Sequence, residues 1–219
     1  MTERLPPRPE AIIFDFDGVI LDTAEMKAQA FATLYRDAGP QWTGRIVDYQ
    51  RRHAGLSRRK KFAAFDEWIF GQTPDDTRLE DLSARLRAIV LDKVLAVDFV
   101  PGARQMLDRT AGQSRLFVVS GTPQDELRQI VRQRGLAPYF ESVQGSPATK
   151  QEAFAAIVDA GGFARGRVLA IGDSITECVA ARQLGLAFLG IRGGPSPTDF
   201  PVGVPTLPDL SDAADLLGY

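Results

Sequence analysis

The chain has 219 residues, of which 44% are hydrophobic and 25% are charged, and its formal net charge is −2. This composition suits a globular protein with an apolar core and gives no general attraction to nucleic acid or anionic membranes. The single cysteine, Cys178, excludes an intramolecular disulfide and fits a reducing compartment. We find no signal peptide pattern and no run of the ~20 apolar residues that a membrane span needs, so we expect a cytoplasmic protein.

The first predicted strand, residues 11–15, is a short apolar run that ends in aspartate. Three later runs have the same character and are also predicted to be buried strands: 115–119, 167–171 and 187–191. A Gly/Pro-rich loop is predicted at 193–205. Strands that alternate with helices predict an α/β fold, a doubly wound parallel sheet with helices on both faces.

Helices are predicted between these strands. The patterns at 151–160 and 176–185 are helical, and Thr122 is predicted to cap a helix that begins at Pro123. Asp125 would complete a capping box there.

Residues 21–96 differ from the rest of the chain because they contain no convincing buried strand. Helices are predicted at 23–38 and 57–70, and Leu79 to Val94 repeats apolar residues at helical spacing. We therefore predict a second, smaller, all-helical cap domain at 21–96, inserted into a core domain formed by 1–20 and 97–219.

Chemically reactive side chains follow three of the predicted strands. They are Asp15 and Asp17, Ser120, and Asp173. Ligands of doubly wound sheets bind beyond the carboxyl ends of the strands, so these side chains are expected at one site. Converging carboxylates would repel one another, and oxygen ligands point to Mg²⁺ as the ion that offsets this repulsion. Lys150 and a hydroxyl nearby would suit a phosphate.

Asp15 and Asp17 stand at positions i and i+2 of an extended segment, so both side chains face the same way. Two roles are then available at one phosphorus atom. One carboxylate can attack it, and the other can protonate the leaving oxygen and later deprotonate a water.

Four ordered motifs resemble one family. They are Asp15 to Val19, Val118 to Thr122, Lys150, and Gly172 to Glu177. The chain resembles haloacid dehalogenase-superfamily phosphohydrolases with an inserted helical (C1-type) cap, in the phosphoglycolate phosphatase and β-phosphoglucomutase subgroup. The resemblance implies an Mg²⁺-dependent phosphatase that acts on a small phosphorylated metabolite, possible substrates including sugar phosphates.

The resemblance also implies roles for individual residues. Asp15 would be the nucleophile and a metal ligand, and Asp17 would be the acid and base and would give its backbone carbonyl to the metal. The phosphoryl oxygens would be held by Ser120, Gly121 and Lys150. Asp173 would be a metal ligand. Glu177 replaces the usual aspartate, is one methylene longer, and would support the metal either directly or through a water.

Several related activities stay open at this point. Asp17 argues against haloacid dehalogenation, because the dehalogenases lack this second aspartate. A hexose-phosphate mutase of the β-phosphoglucomutase type is an alternative, although this chain has Lys27 and Gly172 where the mutase has histidine and glutamate. Phosphonate hydrolysis would need a Schiff-base lysine in the cap, and nothing singles out Lys27, Lys60 or Lys61. An inactive metabolite-binding protein on the same fold is a further alternative.

Within the predicted cap, Gly55 to Arg58 combines a glycine turn, a helix start and clustered cations. We predict that Arg58 reaches an anionic or hydroxyl-rich part of the substrate; a solvated basic surface is the competing interpretation. The expected partner is a small phosphorylated metabolite, with no nucleic acid and no membrane, and we expect a monomer or weak homodimer.

Overall fold

The computed structural model of the protein describes residues 4–194 and 199–219, so residues 195–198 of the predicted loop lie outside the described residues. One parallel sheet forms the centre of the described chain. Its strands are β1 (Ala11–Phe14), β2 (Arg115–Pro123), β3 (Ser142–Ser146), β4 (Val168–Gly172), β5 (Ala187–Ile191) and β6 (Thr206–Leu207). The α/β, parallel-sheet prediction is confirmed.

The strands lie in the order β3-β2-β1-β4-β5-β6, and every neighbouring pair is parallel. Strand β1 is central, since Ala11 pairs with both Arg115 and Val168. All four residues of β1 are buried, as expected for a parallel strand covered on both faces. The chain runs outward from β1 to β3 and then returns to β4, so the order reverses between β1 and β4. A ligand site is expected at such a switch point.

Along the chain, four long helices follow β1 before the next strand of the sheet begins. They are α1 (Ala24–Leu34), α2 (Pro40–Arg52), α3 (Arg58–Phe70) and α4 (Asp76–Ala96). The remaining described helices are α5 (Ala103–Thr110), α6 (Gln124–Gln133), α7 (Lys150–Gly161), α8 (Ile175–Gln183) and α9 (Ala213–Leu216). The smaller all-helical unit predicted from the sequence is thus present, and we call α1 to α4 with their connections the cap.

The cap has its own apolar interior. Helix α4 buries Leu82, Leu86, Val90 and Val94, which recur every four residues along one face. The Phe31 ring of α1 packs against two rings of α3. Its centroid lies 5.6 Å from that of Phe62 and 5.8 Å from that of Phe65. These contacts pack α1 against α3. Among the described residues, no helix combines the length and apolar character that a membrane crossing needs.

The end of β2 corrects one prediction. Strand β2 continues through Pro123, and α6 begins only at Gln124, without a side-chain cap. The predicted cap at Thr122 and the capping box with Asp125 are therefore wrong. Thr122 instead donates its hydroxyl proton to Asp17, 3.0 Å away. The strand holds Thr122 at the sheet edge, where it can take part in the site.

Candidate active site

Two aspartates flank the point where the strand order reverses. Asp15 directly follows β1, and its backbone N–H donates to the carbonyl of Ile171 on β4, at 2.9 Å. Asp173 directly follows β4. Ser120 lies in the neighbouring strand β2 and is buried. The side chains predicted at three strand ends therefore lie at the same edge of the sheet.

A cluster of three carboxylates forms at this edge. Single oxygens of Asp15, Asp173 and Glu177 all lie within 4.8 Å of one another. Glu177 is fully buried in the first turn of α8, where it accepts hydrogen bonds from the N–H and hydroxyl of Ser174. This capping box orients the longer glutamate side chain toward the two aspartates.

One lysine faces the cluster. Lys150 is the first residue of α7, which is capped by Thr149, and its buried side chain reaches under the sheet edge. Its ammonium donates to Asp15 Oδ1 and to the Val119 carbonyl, both at 2.5 Å, and lies 3.1 Å from Glu177 Oε1. A single cation thus serves two carboxylates.

The cluster has more negative charge than Lys150 can balance. Burial, opposed by Lys150 but aided by Glu177 and Asp17, raises the pKa of Asp15 to about 7. Burial, followed by Asp15 and Glu177, raises the pKa of Asp173 well above its usual value. Oxygen donors with surplus negative charge are the donor set that a hard divalent cation prefers, so these residues fit Mg²⁺.

Asp17 has a different environment although it is only two residues from Asp15. Its carboxylate lies 2.6 Å from the Lys27 ammonium and accepts from Thr23 at 2.6 Å. Ser120 donates to it at 3.3 Å. Burial raises the pKa of Asp17, but Lys27 and the hydrogen bonds outweigh burial and lower it to about 2. The two aspartates therefore differ strongly in their affinity for a proton.

Gly18 shapes the turn that follows Asp17. Its φ is +77°, and a Cβ there would lie 2.3 Å from Asp173 Oδ2. Both the backbone conformation and the close approach require glycine.

A loop of the cap, residues 53–57, lies directly over the carboxylate cluster. A Cβ on Gly55 would lie 2.5 Å from both Glu177 Oε1 and Ser174 Oγ, and a Cβ on Gly121 would lie 3.1 Å from the Leu56 carbonyl. Ser57 precedes α3 but makes no side-chain cap hydrogen bond. The loop is thus in close contact with the core and covers the site.

Cap and core enclose a pocket at this boundary. Core residues contribute Asp15, Asp17, Ser120, Gly121, Thr122 and Asp173. Cap residues contribute cations, apolar groups and one amide: Lys27, Arg51, Arg58, Lys61, Phe31, Leu86, Val90 and Gln50. Five predicted core residues therefore face the cap across one cavity. Lys150 and Glu177 do not line it and are buried beside Asp15.

Arg58 lines this pocket but already has a partner. Its side chain is 7% exposed, and its guanidinium donates to Glu126 Oε1 of α6 at 2.8 Å and to the Ser83 carbonyl at 3.3 Å. The competing idea of a solvated basic surface does not describe a side chain this buried. The ion pair joins cap to core, and the contact of Arg58 with substrate stays a prediction.

Residues 12–191 match the family model described as haloacid dehalogenase-like hydrolase. The chain belongs to this family. The match confirms the resemblance indicated by the four motifs. This hydrolase is 28% identical to a phosphoglycolate phosphatase from Synechococcus elongatus over 84% of each chain.

Solved structures show the same fold at lower identity. The Bacillus subtilis HAD protein YfnB, solved with bound magnesium, superimposes with a TM-score of 0.69 at 18% identity, over 99% of this hydrolase and 100% of YfnB. Rhodobacter sphaeroides CbbY in complex with xylulose-(1,5)bisphosphate gives a TM-score of 0.73 at 15% identity, over 93% of this hydrolase and 96% of CbbY.

Sequence reasoning missed several pocket residues of this hydrolase. The sequence pattern favours a helix cap at Thr122, does not distinguish Lys61 from Lys27 and Lys60, and gives no signal at Gln50. The Asp17–Lys27 ion pair was also not foreseen. Spacing within α1 could have suggested that Lys27 points the same way as Thr23, four residues earlier, but burial of Lys61 and Gln50 depends on how the helices pack.

Proposed function

We propose that this hydrolase is an Mg²⁺-dependent phosphatase that cleaves a small phosphorylated metabolite through an aspartyl-phosphate on Asp15. The observation that carries the proposal is the cluster of Asp15, Asp173 and Glu177 at the switch point of the sheet, with Lys150 against it. A site with this charge can hold a cation and a phosphoryl group side by side.

The residues that would hold Mg²⁺ are Asp15, Asp173, Glu177 and the backbone carbonyl of Asp17. Bound Mg²⁺ would offset the negative charge of these carboxylates and of the phosphoryl oxygens. The magnesium recorded for YfnB supports this assignment by analogy of fold.

Asp15 would attack phosphorus, and Lys150 would keep its carboxylate ionised and aimed through the 2.5 Å hydrogen bond. Asp17 would then give a proton to the leaving oxygen and later take one from the water that hydrolyses the intermediate. The ion pair with Lys27 lowers the pKa of Asp17 and keeps its carboxylate ionised. We propose that an incoming phosphate shares the charge of Lys27, so that Asp17 can accept a proton.

The phosphoryl oxygens would be bound by the Ser120 hydroxyl, the backbone of Gly121 and the Lys150 ammonium. Ser120 and Gly121 line the pocket at the end of β2. Such fixed donors stabilise charge that develops on the transferred group.

We further propose that residues 21–96 act as one cap domain and that the core comprises 1–20 and 97–219. The loop at 53–57 would close over the bound ester and exclude water that could otherwise compete with the phosphoryl acceptor. Arg58 keeps its proposed role as a substrate contact, which it would perform while bound to Glu126 or by exchanging that partner.

A β-phosphoglucomutase-type mutase is the alternative within the family. One observation weighs against it: a Cβ on Gly172 would lie 2.8 Å from both Cβ and Cγ of Glu177. A glutamate at position 172, as the mutase carries, would force Glu177 to move.

The test is phosphate release from a chromogenic aryl phosphate and a panel of phosphorylated metabolites, each with Mg²⁺ and with EDTA. We expect Mg²⁺-dependent release from several small esters. Conversion of a hexose 1-phosphate to its 6-phosphate without release would favour the mutase. No turnover of any ester, with metabolite binding retained, would favour an inactive binding protein.

A further inference from the structure

The cations around the pocket differ in one respect, the presence of a carboxylate partner. Four of them lie within 2.8 Å of one. These pairs are Lys27 with Asp17, Arg51 with Glu25, Arg58 with Glu126, and Lys150 with Asp15. Their charges are already offset within the protein.

Lys61 has no such partner. It lies in the first turns of α3, lines the pocket and is only 3% exposed. Its ammonium donates to the Ala54 carbonyl at 3.0 Å and lies 5.6 Å from the centre of the Phe31 ring. Among the described residues, no carboxylate lies within 4.0 Å of it. A buried ammonium without a counterion is costly, and an anion in the pocket would remove that cost.

Gln50 provides a second, independent sign of a ligand on this side of the pocket. Its side chain is 5% exposed, lines the pocket from α2, and presents an Oε1 atom with no hydrogen-bond donor in the described chain. A buried amide oxygen without a donor is unfavourable, and a hydroxyl group of a bound molecule would satisfy it.

The other cap side chains that line the pocket are either apolar or are cations that already have a carboxylate partner, namely Lys27, Arg51 and Arg58. Phe31, Leu86 and Val90 supply its apolar surface. An anion that enters here would therefore bind to Lys61 rather than to surrounding dipoles.

We propose that Lys61 binds a second anionic group of the substrate, a carboxylate or a further phosphate, and that Gln50 accepts a hydrogen bond from a hydroxyl beside it. The inference rests on the proposed phosphatase function and names the substrate class. That class is a short phosphate monoester with an acidic group at the far end and a hydroxyl between.

The test compares kcat/KM for three esters with different tails: ethyl phosphate, phosphoglycolate, and propane-1,3-diol bisphosphate. They carry a neutral tail, a carboxylate and a second phosphate, so they also show which anion is preferred. We expect the wild type to favour one anionic ester over ethyl phosphate. Lys61→Met should lower kcat/KM for that ester about 10- to 100-fold and change ethyl phosphate less than about 3-fold.

Lys60→Met is the matched control, because it removes the same charge from an exposed neighbour. It should leave all three esters within about 2-fold. Equal losses on all esters for Lys61→Met, or no loss on any, would overturn the assignment of Lys61.

Gln50 is tested with two phosphate esters that differ by one hydroxyl group. They are 3-phosphoglycerate and its 2-deoxy analogue, the phosphate ester of 3-hydroxypropionate. Gln50→Leu should lower kcat/KM about 2- to 10-fold for the hydroxylated ester only, the range of a neutral hydrogen bond. An equal effect on both esters would contradict the hydroxyl contact.

Failure of the proposed function can be told apart from failure of this inference. If the wild type turns over none of the esters, the phosphatase proposal is wrong, and calorimetric binding of phosphoglycolate and ethyl phosphate then tests Lys61 directly. Tighter binding of phosphoglycolate that is lost in Lys61→Met would uphold the anion site. Equal binding of the two esters would overturn it.

Discussion

The two walls of the pocket have opposite charge. The core wall carries three carboxylates, Asp15, Asp17 and Asp173, and buried Glu177 and Lys150 lie beside Asp15. The cap wall gathers four cations: Lys27, Arg51, Arg58 and Lys61. Two ion pairs, Lys27 with Asp17 and Arg58 with Glu126, cross from cap to core. Under the proposed function, the acidic wall would carry out the reaction and the basic wall would select anionic substrates.

The largest expected effect comes from substituting Asp15, at the centre of the acidic wall. Asp15→Asn should lower kcat at least ~10³-fold, because an amide is neither a nucleophile for phosphorus nor an anionic ligand. Steady-state hydrolysis of an aryl phosphate measures it. Asp159→Asn, an exposed aspartate of α7, is the matched control and should keep wild-type activity. A tenth of wild-type activity in Asp15→Asn would refute the nucleophile assignment.

A smaller effect is expected from Glu177, at the edge of the same wall. Glu177→Gln keeps a side chain able to cap α8 but removes one charge from the cluster. The Mg²⁺ concentration for half-maximal activity should rise about 10-fold, with a smaller change in the saturated rate. Titration of EDTA-treated enzyme with Mg²⁺ measures both.

Glu152→Gln is the control for this titration, because Glu152 makes the same capping box at the start of α7 but is exposed. An equal shift in the two variants would assign the effect to helix capping. Activity that survives EDTA would refute the metal requirement itself.

The smallest expected effect concerns Lys61 on the basic wall and the pH dependence of protein stability. Burial, then repulsion from Lys27, lowers the pKa of Lys61 from 10.5 to about 7. The unfolded chain therefore binds this proton more readily than the folded protein does between about pH 7 and 10.5. Charged Lys61 therefore lowers the free energy of unfolding. This destabilisation is greatest below about pH 7 and decreases as the pH rises toward 10.5.

Lys61→Met should remove that destabilisation. We expect a gain in the free energy of unfolding of at least about 1 kcal/mol at pH 6, since one pKa unit corresponds to about 1.4 kcal/mol. The gain should shrink at pH 8 and nearly vanish at pH 10. Urea unfolding at the three pH values measures it, with Lys60→Met as the control. A gain that grows with pH would have the wrong sign and would contradict the assigned pKa.

The acidic wall was largely predictable from sequence because strand ends place its residues. A buried apolar run that stops at an aspartate fixes both the strand and the side chain after it, as at Asp15 and Asp173. The edge strand β3 was missed, since Ser142–Ser146 contains glycine and serines and is only partly buried. Thr122 was misassigned because Ser-Gly-Thr-Pro usually ends a strand, whereas β2 continues through it.

The basic wall was much less predictable. Helix periodicity identified α3 and α4, but α2 was missed, and the helix predicted at 23–38 ends at Leu34, followed by a short 3₁₀ helix at Arg36–Ala38. Lys60 and Lys61 look alike in sequence, yet one is exposed and the other buried. Which lysine faces the pocket is decided by packing between helices, and no local pattern encodes it.

The Arg58–Glu126 pair has a consequence for turnover. Both side chains are buried where cap meets core, and opening the cap would return both charges to water. Such a pair has a desolvation cost that nearly cancels its attraction, so it adds little net free energy to the closed form. Its geometry is nevertheless demanding, since a fixed guanidinium fork must meet one carboxylate. If the cap opens during turnover as proposed, the pair would fix the position in which the cap closes without strongly stabilising the closed form, and the product could then leave.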